Sequence, residues 1–146
     1  MKIEIEVDKN IPDLRITVAC KELTPKIEKI LAALRMMDNQ ITGKLGDEIH
    51  LLDLAQIIYI ESVDRRSFLY TKDQVYESGF RLYELEQKLE EYGFLRVSKS
   101  FLICLRNIQT LRTDINRRIR ITMSNGEQII ASRQYADELK KRLGVI

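Results

Sequence analysis

The chain has 146 residues, 45% hydrophobic and 32% charged, with a formal net charge of +2. That length and apolar content suit one domain or a small domain with an appendage, and they exclude a disordered chain. No apolar run approaches the ~20 residues a membrane helix requires, and the N-terminus lacks the continuous apolar core of a signal peptide, so a soluble, cytoplasmic protein is expected.

Residues 1–44 read as a β-β-α unit. In "KIEIEV" Ile3, Ile5 and Val7 alternate with charged residues, the pattern of a half-buried strand. "LRITVAC" reads as a second strand. Thr24 then caps a helix with Pro25 at its first position, where a missing N–H is harmless. Ile27, Ile30, Leu31 and Leu34 give that helix one apolar stripe, and it ends near Asp38-Asn39. This unit is small enough to need docking on the rest, and a dimerisation or regulatory role is expected of it.

From residue 45 to 146 the chain reads as a second domain of short antiparallel strands. "EIHLLD" and "IIYIES" are strands, "VDRR" a turn, "SFLYTKD" the returning strand, and "QVYESGF" a less regular one. Leu82, Leu85, Leu89 and Tyr92 then mark a helix that Gly93 terminates. "FLRV" and "FLICL" flank a polar break, Ser98-Lys99-Ser100. "IQTLRT" leads to a turn at Asp114-Ile115-Asn116, and "RRIRITM" alternates Arg118, Arg120 and Thr122 with Ile119, Ile121 and Met123. "SNGE" signals a tight hairpin before "QIIAS". Ser132 caps a final helix with Tyr135, Leu139 and Leu143 on its buried side. Strands do not alternate with crossover helices, so a parallel nucleotide-binding sheet is disfavoured.

The small net charge hides a concentrated basic segment. Residues 45–93 carry five basic and eleven acidic side chains, whereas Phe94 to Arg120 carries seven basic and one acidic, Asp114. Such asymmetry points to a polyanion partner, unless the two segments face each other within the fold.

No motif for catalysis is present. There is no Gly-rich phosphate loop and no Gly-x-Ser-x-Gly elbow. The single histidine, His50, lies in a strand pattern and reads as a partly exposed strand residue. Glu84, Glu86, Glu90 and Glu91 read as the solvated face of a helix. Cys20 and Cys104, far apart in sequence, read as two buried, reduced thiols. No enzyme activity, catalytic residue, metal or cofactor is expected.

Binding signals are better. Arg65 and Arg66 sit at a turn, Lys99 sits between two hydroxyls, and Arg117 and Arg118 adjoin another turn. Arg133 occupies the first turn of the last helix, a position the helix dipole disfavours for a cation. Each alone reads as a solvated surface charge. Together they lie at connections, where binding residues concentrate.

From about Asp53 to Leu143 the chain resembles the LytTR DNA-binding domain of bacterial response regulators and stand-alone transcription factors. The resemblance rests on "IIYIES", on "RLYELEQKLE" leading to "GFLRVSKSFLICLRNIQTL", and on "ITMSNGEQIIASRQYADELKKRL", in matching order and spacing. Residues 1–44 resemble the leader of small stand-alone members that lack a phosphoryl receiver domain. The resemblance implies a mainly β, elongated antiparallel fold with few short helices. It implies a sequence-specific transcriptional regulator that inserts loops into successive major grooves of double-stranded promoter DNA. It further implies a homodimer on tandem imperfect repeats, and a small membrane protein as regulatory partner. Carried over by position, it implies contacts from Asp64, Arg65, Arg66 and Ser67, from Ser98, Lys99 and Ser100, and from Arg133. Beside that, Arg117, Arg118 and Arg120 read from their own positions as backbone-positioning charges. Two departures stand out: Ser98 where the family often has His, and Cys104 where it often has Asn. The rival readings are a protein-interaction module that binds an acidic partner through the basic face, and a small serine hydrolase.

Overall fold

The computed structural model describes residues 1–145. Helix α1, Pro25–Met37, begins as its sequence dictates: the Thr24 hydroxyl accepts the Ile27 N–H at 3.4 Å, and Pro25 fills the first position. It ends at Asp38, and Asn39 turns the chain with φ 60°. The Asn39 carbonyl then accepts the Leu54 N–H at 2.8 Å, tying the helix exit to the sheet.

Strands β1 (Gln40–Leu45) and β2 (Glu48–Asp53) form a hairpin turned by Gly46, φ +61°. β3 (Tyr59–Val63), β4 (Arg66–Tyr70) and β5 (Val75–Ser78) follow, then helix α2 (Leu82–Leu89). A short 3-10 turn carries the chain to Gly93, whose left-handed φ of 85° stops it. β6 (Phe94–Arg96) and β7 (Phe101–Cys104) complete a seven-stranded antiparallel sheet in the order β2-β1-β5-β4-β3-β7-β6. β8 (Ile108–Thr113), β9 (Ile119–Met123) and β10 (Gln128–Ala131) make a second antiparallel sheet, and helix α3 (Arg133–Leu143) follows.

Alternation along the strands sends neighbouring side chains to opposite faces, which splits the core in two. Ile60, Leu69 and Leu102 face α2, where Leu82, Leu85 and Leu89 meet them together with Met36 of α1. Their neighbours Tyr59 and Ile103 face the small sheet and α3, packing with Ile121, Met123, Ala136 and Leu139. Each fully buried aliphatic side chain contributes ~1.5–3 kcal/mol. Gly43 is a close-approach position: a Cβ there would lie 2.6 Å from the Tyr76 Cβ.

The structure bears out the mainly β antiparallel class and every element expected from residue 48 onward. It departs from the sequence reading in the N-terminal unit. Its helix forms, but neither residues 2–7 nor 14–20 are strands. Alternation says which face a strand would bury; it does not supply the neighbouring strand whose N–H and C=O groups must pair with it. For the same reason Cys20 is exposed, whereas Cys104 is buried as expected. The division anticipated between residues 44 and 45 falls inside β1, a strand the sequence reading did not assign. Among the described residues no helix is long and apolar enough to cross a membrane.

Candidate nucleic-acid interface

Three loops assemble at one end of the two sheets. The first is the β3–β4 turn. Asp64 and Arg65 both adopt left-handed backbone, φ 51° and 66°, as a two-residue hairpin loop with primed geometry requires. Asp tolerates this; Arg at φ 66° is strained and leaves its guanidinium at the exposed tip. Arg66 is committed elsewhere. Its Nε and terminal nitrogen donate to the two Glu77 carboxylate oxygens at 2.7 and 2.8 Å, and its guanidinium lies 5.4 Å from the Phe68 ring centre. That bidentate contact raises the Arg66 pKa and holds the Glu77 carboxyl below its usual value. Ser67 is 1% exposed, on the α2 side of the sheet, and its hydroxyl has no partner.

The second loop, Ser98-Lys99-Ser100, joins β6 to β7. The Ser98 hydroxyl accepts the N–H groups of Ser100 (3.2 Å) and Phe101 (3.1 Å), so it organises the turn. Arg96 braces the same turn from below. Its Nε donates to the Ser98 carbonyl at 2.7 Å, a terminal nitrogen to the Lys99 carbonyl at 2.6 Å, and the other to Glu86 of α2 at 2.9 Å. With the backbone held from both sides, only Lys99 of the three projects as an exposed side chain.

The third element is the start of α3. Arg133 is its first residue and is exposed; Ser132 stands at the cap position but its side chain caps nothing, and the first turn contains no acid. First-turn N–H groups without a side-chain acceptor, at the positive end of the dipole, favour an anion.

Two backbone hydrogen bonds fasten these elements together. Ser62 N–H donates to the Ser100 carbonyl at 2.8 Å, joining the end of β3 to the second loop. Ser132 N–H donates to the Val97 carbonyl at 2.9 Å, joining the second loop to α3. Lys99 and Ser132 share a cleft of about 600 Å³, with Gln134 on its wall. A second cleft of about 700 Å³ adjoins it across Gln134 and is lined by Arg133, Arg117 and Lys140, with one carboxylate, Asp137, on the same wall. Arg117 sits in the β8–β9 turn with φ 64°, another strained non-glycine, and that turn is closed by Asp114. The Asp114 carboxylate accepts the Asn116 and Arg118 N–H groups at 2.9 and 3.1 Å and lies 3.5 Å from the Arg118 guanidinium. On the outward face of the small sheet Arg112 lies directly opposite Arg120. Like charges paired across strands repel, and an anion relieves them.

Among the described residues Arg65, Lys99, Arg117 and Arg133 enter no ion pair, whereas Arg66, Arg96 and Arg118 do. The basic and acidic segments therefore neutralise each other only in part. The sequence reading missed Arg96 as the brace of the second loop, and Gln134 as the residue shared by the two clefts. Nothing local marks either; the Arg96–Glu86 pairing exists only once β6 packs on α2. No group of three or more His, Cys, Asp or Glu side chains suited to a metal occurs among the described residues. Cys104, at the position of a frequent family Asn, is fully buried and its backbone N–H donates to the Ile58 carbonyl at 3.0 Å.

Known proteins agree with this architecture. A solved LytTr DNA-binding domain, from a methyl-accepting/DNA response regulator of Bacillus cereus, superposes with a TM-score of 0.68 over 73% of this chain and 97% of its own, at 24% identity. A Staphylococcus aureus protein named as an uncharacterized HTH-type transcriptional regulator is 26% identical over 99% of both chains, and the counterpart from strain MRSA252 is 25% identical over the same share. Despite that name, no two α-helices here are consecutive: α2 and α3 are separated by five strands. The family model for the LytTr DNA-binding domain matches residues 47–144, from β2 to the end of α3. The chain belongs to the LytTr DNA-binding domain family.

Proposed function

We propose that the protein regulates transcription by binding double-stranded promoter DNA through the three loops, which enter successive major grooves, and that two copies occupy tandem imperfect repeats. The observation that carries this reading is the convergence of Lys99, Arg133 and Arg117 on adjoining clefts, without carboxylate partners, on a backbone tied together at Ser62–Ser100 and Ser132–Val97. Cations held rigidly and left unpaired suit phosphates, and phosphate neutralisation supplies most of the affinity and its salt dependence. Arg133 and Lys99, which flank Gln134 in the two adjoining clefts, are assigned to base edges; a bidentate Arg–guanine contact gives ~1–3 kcal/mol of discrimination. Arg65, Arg117 and Arg118 are assigned to phosphates. Ser98, Arg66 and Ser67 are assigned to shaping the loops, and Ser100 to anchoring the second loop through its carbonyl.

Selection of bound sequences from random duplexes, followed by a salt titration of the selected site, tests the reading. A recovered site whose affinity falls steeply with salt supports it. Undetectable duplex binding at low salt would sink it and leave an acidic protein as the partner of the basic face.

A further inference from the structure

Gln134 is the one residue that lines both basic clefts, the cleft of Lys99 and the cleft of Arg133 and Arg117. It is exposed, and none of the hydrogen bonds that shape the second loop or join it to α3 uses its amide. Its direction follows from the helix. Ala136, two residues on, is buried in the second core, and a step of two residues turns roughly 200° about a helix axis, so Gln134 stands on the far side from that core.

Its mount is firm. Ala136 and Leu139 seat α3 at 3% and 0% exposure. The Ser132 N–H donates to the Val97 carbonyl at 2.9 Å. Gln134 lies two residues beyond Ser132, and Lys99 two residues beyond Val97, so one hydrogen bond sets the spacing of both side chains.

A neutral amide among cations adds nothing to phosphate neutralisation. What it offers is an N–H donor and a carbonyl acceptor side by side. In the major groove adenine presents the complement, an N6 donor beside the N7 acceptor. Guanine presents two acceptors, cytosine one donor, and thymine one acceptor and a methyl group. Only adenine uses both halves of the amide. We infer, on the footing of the proposed DNA binding, that Gln134 is a specificity-determining residue whose amide pairs with an adenine lying between the bases met by Lys99 and Arg133.

The test compares the sequences that wild type, Gln134→Ala and Gln134→Glu select from random duplexes, each as the full chain. Wild type is expected to select adenine at one position of the recovered site. Gln134→Ala is expected to lose that preference and keep every other position, with the slope of log affinity against log salt unchanged, because no cation is removed. On duplexes that differ only at that base pair, wild type is expected to prefer adenine by about fivefold to 150-fold and the Ala variant by less than about twofold. Gln134→Glu keeps only acceptors and is expected to turn the preference toward cytosine, whose N4 group donates. An acid in the first turn of α3 suits the helix dipole, so this variant serves should the Ala variant misfold. A site left unaltered by both variants, equal weakening on every sequence, or a Glu variant that keeps adenine would each overturn the role of Gln134 and leave DNA binding standing. A wild type that binds no duplex would overturn both.

Discussion

Replacing Arg96 by Met separates bracing of the second loop from contact with DNA. Arg96 makes two hydrogen bonds to loop carbonyls, at 2.7 and 2.6 Å, and one to Glu86 at 2.9 Å. Its side chain is 15% exposed. Hydrogen bonds from a charged donor contribute ~1.5–3 kcal/mol each when removed. The Lys99 carbonyl lies toward water, so the low end applies, about 3 kcal/mol for the two bonds together. The half-exposed partner Glu86 adds under about 1 kcal/mol. Met keeps most of the apolar stem, so the loss is polar. Binding suffers separately, because the freed loop must be ordered again on DNA. Fixing one residue's backbone costs ~1–2 kcal/mol, and partial loosening of Ser98-Lys99-Ser100 translates to about tenfold to hundredfold weaker binding. No phosphate contact is lost, so the slope of log affinity against log salt stays at the wild-type value. Arg65→Ala, at a residue assigned to a phosphate, lowers that slope by ~0.9 by contrast. Urea unfolding gives the stability, and fluorescence anisotropy on a selected duplex across a salt series gives affinity and slope. An Arg96→Met slope reduced as much as that of Arg65→Ala would make Arg96 a DNA contact and refute the bracing argument; unchanged stability and affinity would refute it from the other side.

Other outcomes follow from the same geometry. Lys99→Ala and Arg133→Ala are expected to weaken binding to a selected site while unfolding free energy stays within about 1 kcal/mol of wild type; global unfolding of either would reassign that residue to the core. Arg65→Gly is expected to raise stability by about 0.5–1 kcal/mol, by relieving the left-handed strain, and to lower affinity; parallel urea and binding curves decide whether the two effects have opposite signs. Glu77 has a lowered folded pKa, chiefly through the hydrogen bond from Arg66, so its contribution is full above the ordinary carboxylate range and is lost as pH falls through the lowered value. The thermal-midpoint gap between wild type and Glu77→Gln should therefore begin to close as pH falls into the ordinary carboxylate range and finish closing below it, and a gap independent of pH would deny the pair any role. Gly43→Ala forces a Cβ to within 2.6 Å of the Tyr76 Cβ; a loss of about 1–3 kcal/mol is expected, and a neutral effect would show that β1 and β5 separate freely.

Much of this fold was legible because its signals are local. Thr24-Pro25, Gly93 and Asn125-Gly126 announce their helix start, helix stop and hairpin turn without reference to anything distant. β1 was not legible: "QITGKL" has weak alternation, and its strand exists because Gly43 lets it pass close to Tyr76. Residues 2–7 failed in the opposite sense, a good pattern without a neighbouring strand. At the interface, position along the chain located all three loops but not the division of labour within them. Ser98 and Arg66 are polar residues at exposed connections, and the sequence does not show what they pair with inside the chain. Only three-dimensional pairing reveals that Ser98 spends its hydroxyl on two N–H groups and Arg66 its guanidinium on Glu77.

The second loop keeps its shape by main-chain hydrogen bonds, by the Ser98 hydroxyl and by Arg96, none of which involve the Lys99 side chain. Position 99 is therefore an interchangeable tip on a fixed mount. A library randomised there alone would retain the fold in nearly every member and vary only what the tip meets. Under the proposed function, a change of that one codon is expected to alter the bound sequence and leave the stability untouched.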